Sequence, residues 1–150
     1  MITIAQLTRL PRKFGKYYDR QFLPLLEKTG LSMREIHVLL FLANHPGQDT
    51  ARDVAELRCL AKSQVSQAVE VLTDRGLLAR RADGEDRRII HLEITGEGAP
   101  LAREAQAIQC ACGKRLLAGL TEEEQAVFLD LLERVLRKTE ELSMEKECQS

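Results

Sequence analysis

Between Leu78 and Ile94 the spacing of apolar residues drops from the helical period to a period of two. The segments "LLARRA" and "RIIHLEIT" are short and β-like, and they flank "DGED", whose Asp-Gly pair favours a tight hairpin. The alternation turns Ile90, Leu92 and Ile94 inward and leaves Ile89, His91 and Glu93 outward. A two-stranded hairpin does not stand alone in water, so it must lean on the helices around it.

Those helices are marked clearly. Phe14, Tyr17, Tyr18, Phe22 and Leu25 recur at helical spacing within residues 4–30. Pro11 suits a first turn, whereas Pro24 predicts a kink or an end near Leu23 and so a helix in two pieces. Gly30 is a stop signal, and Ser32 with Glu35 predicts a capping box for a helix that buries Ile36, Leu39, Leu40 and Ala43 before "NHPG" ends it. Thr50 with Asp53 caps a short helix with Val54 and Leu57 inward. The next helix carries Val65, Ala68, Val69 and Leu72 as one stripe and stops at Gly76. After the hairpin, Thr95 caps a long helix to about Gly119, with Pro100 predicting a distortion near its start. Thr121 and Glu124 open a last helix with Phe128, Leu131, Leu132, Val135, Leu136 and Leu142 on one face.

The order predicts a mainly α fold with a small β wing, a winged helix-turn-helix with further helices at both ends. The terminal helices carry apolar stripes in need of a partner, which a second copy of the chain supplies most simply, with twofold symmetry.

The 150 residues suit one domain with a real core. No apolar run reaches a membrane span, and "MITIAQLTRLPRK" lacks a signal peptide's apolar core, so no membrane partner and a cytoplasmic location are expected. The net charge of −1 is unevenly spread: residues 1–30 hold six basic and two acidic side chains, a net of +4, and residues 121–150 hold four basic and nine acidic ones, a net of −5. A partner would feel these local fields rather than the average.

The helix "AKSQVSQAVEVLTDRGLL" offers Lys62, Ser63, Gln64, Ser66 and Gln67 to solvent, though Ser is a mediocre helix former. The bland alternative is that Ser63 is a cap and the glutamines are merely solvated. In the second helix of a helix-turn-helix, however, these side chains meet the major groove of double-stranded DNA: Gln pairs with adenine, Ser with several groups, and Lys62 with phosphate. At the hairpin tip, Arg87 and Arg88 follow Asp86. Arginine suits a narrow, negative minor groove, and the carboxylate can aim it. Asp83, Glu85 and Asp86 would repel phosphate unless paired or turned away.

Taken together, "GLSMREIHVLLFLA" and "TARDVAELRCLAKSQVSQAVEVLTDRGLLARRADGEDRRIIHLEITGEGAPL" resemble the MarR family of bacterial transcription regulators. The D-x-R of the wing (Asp86, Arg88) followed by T-x-x-G (Thr95, Gly98) is a specific family pattern. The resemblance implies one MarR-type domain over residues 1–150, with a winged-helix DNA-binding part at 32–95 and dimerisation helices at 1–31 and 96–150. It implies an obligate homodimer, Arg88 in the minor groove, and Lys62, Ser63, Gln64, Ser66 and Gln67 at the major groove or its phosphates. It further implies a repressor of an inverted-repeat operator, released by a small aromatic or phenolic effector. No local motif marks the effector pocket, and no residue is assigned to it. The family often has basic residues where this chain has Gln67 and Val71, which predicts a weaker phosphate grip.

Peroxide-sensing members place a reactive cysteine in the first helix, but here the first is Cys59, although Tyr17 and Tyr18 are present. Cys59, Cys110, Cys112 and Cys148 are expected to be reduced, with a thiol switch at Cys59, or between subunits at Cys110 and Cys112, as the alternative. His37, His45 and His91 are scattered, so neither a metal site nor any other cofactor is expected. No Cys-His pairing, Ser-His-Asp set or phosphate loop points to an enzyme. The remaining alternative is a winged helix used for protein contacts alone.

Overall fold

A computed structural model describes the backbone of residues 9–58 and 60–147, and the side chains of all these except 57, 58 and 143–147. Residues 4–8, Cys59 and Cys148, and the side chain of Leu57, therefore lie outside what is described. The chain forms two compact units, Met1–Cys112 and Gly113–Ser150.

In the first unit, α1 (Leu10–Thr29) starts with proline in its first turn and ends at Gly30, whose φ of 68° is the left-handed cap. Pro24 does not divide it: the helix runs through in one piece, contrary to the expected break. Pro24 and Arg20, whose carbonyl loses its donor, are both exposed, so water solvates the orphan group. The intact helix places Phe22 and Leu25 in the core, where both are buried, and this packing outweighs the proline penalty. Phe14, Tyr18 and Phe22 form an aromatic ladder along it, with centroids 6.0 and 4.9 Å apart.

α2 (Met33–Asn44) carries the expected capping box, with the Ser32 amide donating to Glu35 Oε2 at 2.5 Å. Its buried set is wider than one stripe. Val38 and Phe41 join Ile36, Leu39 and Leu40, because this helix is the centre of the core, whereas Ala43 is half-buried. α3 (Ala51–Arg58) is capped by Thr50 and Asp53, whose carboxylate accepts from the Thr50 amide at 2.9 Å and from its hydroxyl at 2.6 Å.

α4 (Lys62–Asp74) buries Val65, Ala68, Val69 and Leu72, as the stripe predicts. Full burial of an aliphatic side chain contributes about 1.5–3 kcal/mol, so this stripe fixes which face of α4 is left to water. The helix closes at Gly76 (φ 70°), with Leu77 N–H donating to the Leu72 carbonyl and Gly76 N–H to the Thr73 carbonyl, both at 2.9 Å.

Strands β1 (Leu78–Ala82) and β2 (Ile90–Ile94) pair antiparallel, with Leu78 opposite Ile94, Arg80 opposite Leu92 and Ala82 opposite Ile90. Leu78 and Leu92 reach the core and Ile94 is half-buried, but Ile90 is 40% exposed, which corrects its inward assignment. It lies at the far end of the strand, where its cross-strand partner Ala82 is exposed too. The free edge of β2 also bonds to the loop before α3, through a bridge between Thr50 and His91 and a 2.7 Å bond from Leu92 N–H to the Asp49 carbonyl.

α5 (Gly98–Leu117) is capped by Thr95, whose Oγ1 accepts from the Gly98 amide at 3.0 Å. Because the helix starts at Gly98, Pro100 falls in the first turn, where a missing N–H breaks no helical bond and no distortion is required. Side chains of α5 reach α1 and α2: Lys28 pairs with Glu104 at 3.0 Å, Gln106 donates to Asn44, and Gln109 donates to the Tyr18 hydroxyl. On this helix Cys110 is exposed and Cys112 is buried, pointing apart as two-residue spacing requires.

In the second unit, α6 (Glu122–Glu147) opens with the expected box: the Thr121 amide donates to Glu124 and the Glu124 amide to the Thr121 hydroxyl. Its apolar face, including Phe128, Leu131, Leu132, Val135, Leu136 and Leu142, is exposed. Among the described residues no helix is long and apolar enough to cross a membrane.

Candidate nucleic-acid interface

The buried stripe of α4 leaves Lys62, Ser63, Gln64, Ser66 and Gln67 together on the opposite, exposed face of its first half. The cap reading of Ser63 does not hold: the N-cap is Ala61, which makes no side-chain hydrogen bond, and Ser63 is already inside the helix. With no side-chain cap and no acidic residue in the first turn, the positive end of α4 is open to an anion such as a phosphate. Val71 extends the exposed face with an apolar group, 40% exposed.

The other three predicted residues sit apart, at the wing tip. Asp86 Oδ1 accepts from the Arg88 amide at 3.0 Å and from its Nε at 3.2 Å, so the carboxylate aims the guanidinium. The Arg88 side chain is otherwise 92% exposed, and Arg87 is exposed beside it. Two of the three acidic side chains of the tip, Asp83 and Asp86, are employed in its construction, whereas Glu85 takes part through its amide and is exposed. Asp83 Oδ1 accepts from the amides of Glu85 and Asp86 at 2.8 and 2.9 Å, and Asp83 Oδ2 faces His91 Nε2 at 3.0 Å. The Asp86 amide, then the His91 ring, then the Glu85 amide hold the Asp83 carboxyl well below the usual carboxylate range.

Sequence reasoning missed Asp49 and His91. His91 Nδ1 lies 2.6 Å from Asp49 Oδ1, so the ring bridges two carboxylates from different loops. Bonds to Asp49 first, and to Asp83 second, raise its pKa above the ordinary histidine value. Asp49 and Asp83 are 34 positions apart in the chain and only the folded wing joins them, so no local spacing announces the cluster. Among the described residues no group of histidine, cysteine and acidic side chains has the arrangement of a metal site.

A helix with a polar outer face, preceded by a short helix and followed by an arginine-tipped hairpin, is the architecture of a DNA-reading winged helix. The sequence model of the MarR family matches residues 29–89, which include both predicted site segments. The HTH-type transcriptional repressor Rv2887 of Mycobacterium tuberculosis is 30% identical over 131 residues, covering 87% of this chain and 94% of that protein. The chain belongs to the MarR family.

Solved structures share its fold. CouR from Rhodococcus jostii RHA1, crystallised bound to p-coumaroyl-CoA, has 28% identity and a TM-score of 0.70, covering 86% of this chain and 90% of CouR. A MarR family regulator from Silicibacter pomeroyi, at 22% identity, shares the fold with a TM-score of 0.76 over 88% of each chain. The chain is thus a MarR-family transcriptional regulator with a winged helix, and regulators of this family bind DNA rather than catalyse a reaction.

Proposed function

We propose that this MarR-family protein is a homodimeric repressor of an inverted-repeat operator. Residues 32–95 form its DNA-binding part and residues 1–31 and 96–150 its dimerisation helices. In this reading α4 enters the major groove, Gln64, Ser63, Ser66 and Gln67 face base edges, and Lys62 meets phosphate. Arg88, aimed by Asp86 and flanked by Arg87, enters the minor groove. The observation that carries the reading is the uncapped, non-acidic start of α4 with five exposed polar side chains beside a buried stripe. The exposed apolar face of α6 supports a second copy as partner. A small aromatic or phenolic effector is the releasing signal, by analogy with the p-coumaroyl-CoA bound by CouR.

Selection of duplexes from a random-sequence pool by the full chain tests this. The enriched sequences should contain an inverted repeat with half-site centres about 10 base pairs apart. Arg88→Ala should weaken binding to the selected duplex by about 1–3 kcal/mol at fixed salt, with an unchanged circular dichroism spectrum. Enrichment of no sequence, or full affinity in Arg88→Ala, would refute the reading or the wing's part in it.

A further inference from the structure

His91 stands where the wing tip is tied to the loop before α3. One of its carboxylate partners, Asp49, precedes α3, and the Asp49 backbone carbonyl accepts from Leu92 N–H at 2.7 Å. The other, Asp83, uses its second oxygen to fold the turn that presents Asp86, Arg87 and Arg88. The ring is largely enclosed, with its side chain 20% exposed. A neutral imidazole has one N–H and one bare nitrogen. Facing two carboxylates, it makes one good bond and sets a lone pair against the other oxygen. An imidazolium donates to both and neutralises part of their combined charge.

We propose that His91 is a positioning residue for DNA binding: protonated, it clamps the wing tip to the loop before α3, and loss of its proton slackens the wing and lowers DNA affinity. The inference rests on the DNA-binding reading above. The charged groups that face the ring are Asp49 from the loop before α3, Asp83 from the turn after β1, and Arg81, its cross-strand partner on β1. Arg81 opposes protonation, but its guanidinium is engaged by Glu93 at 2.5 Å. The sign follows from the raised pKa. The clamp is fully present below the ordinary histidine value of about 6.5 and is lost as pH rises through the elevated one.

The test uses the full chain and a duplex it selects from a random pool, with dissociation constants measured at constant salt across the histidine range. Wild-type affinity should fall about three- to tenfold from about pH 6 to about pH 8.5, one proton permitting at most tenfold per pH unit. His91→Gln should flatten this slope and bind at every pH about as the wild type does at the alkaline end. Asp83→Asn, which keeps the ring, should flatten it too and serves if His91→Gln fails to fold. In the free protein, the His91 ring followed by NMR should titrate above the ordinary histidine value, and Asp49→Asn should lower it. A wild-type slope retained in both variants, or a His91 titrating below the ordinary value, overturns the clamp while leaving the regulator reading intact. A wild-type chain that binds no duplex at any pH overturns both.

Discussion

The five polar side chains of α4 carry different information, because they differ in what they can bond. Lys62 is a flexible point charge, and it can neutralise a phosphate beside any base. Gln64 has an amide that donates and accepts in one plane, which matches the edge of adenine. Lys62→Ala should therefore weaken binding about equally on selected and random duplexes and reduce the slope of log affinity against log salt by about 1. Gln64→Ala should cost about 1–3 kcal/mol on the selected duplex and little on random DNA, with the salt slope unchanged. Anisotropy titrations of both duplexes at several salt concentrations separate the two. Equal losses on both duplexes for both variants would remove Gln64 from base readout. With Gln67 and Val71 rather than cations on the same face, this helix can neutralise few phosphates and so displaces few of the DNA's counterions, and sequence discrimination should dominate its affinity.

At the level of elements, the hairpin is held at its root by Gly98, the last residue of the T-x-x-G. A Cβ at this position would drive into the carbonyl oxygen of Leu77 and meet the Ile94 side chain at 3.2 Å. The obstacle is backbone in the turn between α4 and β1, and Thr95 Oγ1 bonds the neighbouring Gly76 carbonyl at 2.6 Å, so it has little room to yield. Gly98→Ala should destabilise the chain by about 1–3 kcal/mol or more, seen as a lower denaturant midpoint with an unchanged slope. Wild-type stability in that variant would show that the start of α5 moves freely against the wing.

The capping boxes at Ser32 and Thr121, the Gly76 stop and the α4 stripe were legible in the sequence because each is decided within about four residues. The exposure of Ile90, the continuity of α1 through Pro24 and the bridging of His91 were not. Ile90 depends on how far the helical body extends beneath the strand. Pro24 is overruled by the burial of Phe22 and Leu25 in the core, and His91 is defined by carboxylates that only the closed hairpin brings together. The polar face of α4 was legible through its opposite side: once Val65, Ala68, Val69 and Leu72 are buried, the outward set is fixed.

On the scale of the whole molecule, the largest unspent source of free energy is α6. Its exposed apolar side chains include Val127, Phe128, Leu131, Leu132, Val135 and Leu136, with Phe128 39% and Val135 58% exposed. These recur at helical spacing over more than two turns, so they form a continuous face rather than scattered surface residues. Glu133, by contrast, bonds Arg137 one turn on at 3.0 Å, an exposed pair worth little to stability. If the apolar face meets its counterpart in a second copy, a carboxylate at Phe128 would lose its water without gaining a partner, a penalty of several kcal/mol that is incurred twice in a symmetric interface. Phe128→Asp should sediment as a monomer at concentrations where the wild type is a dimer, and Glu133→Gln should not change the assembly. Operator affinity should fall about a hundredfold or more in Phe128→Asp, because two half-sites then have to be occupied independently. A Phe128→Asp protein that remains dimeric with full operator affinity would move the dimer contact off this face of α6.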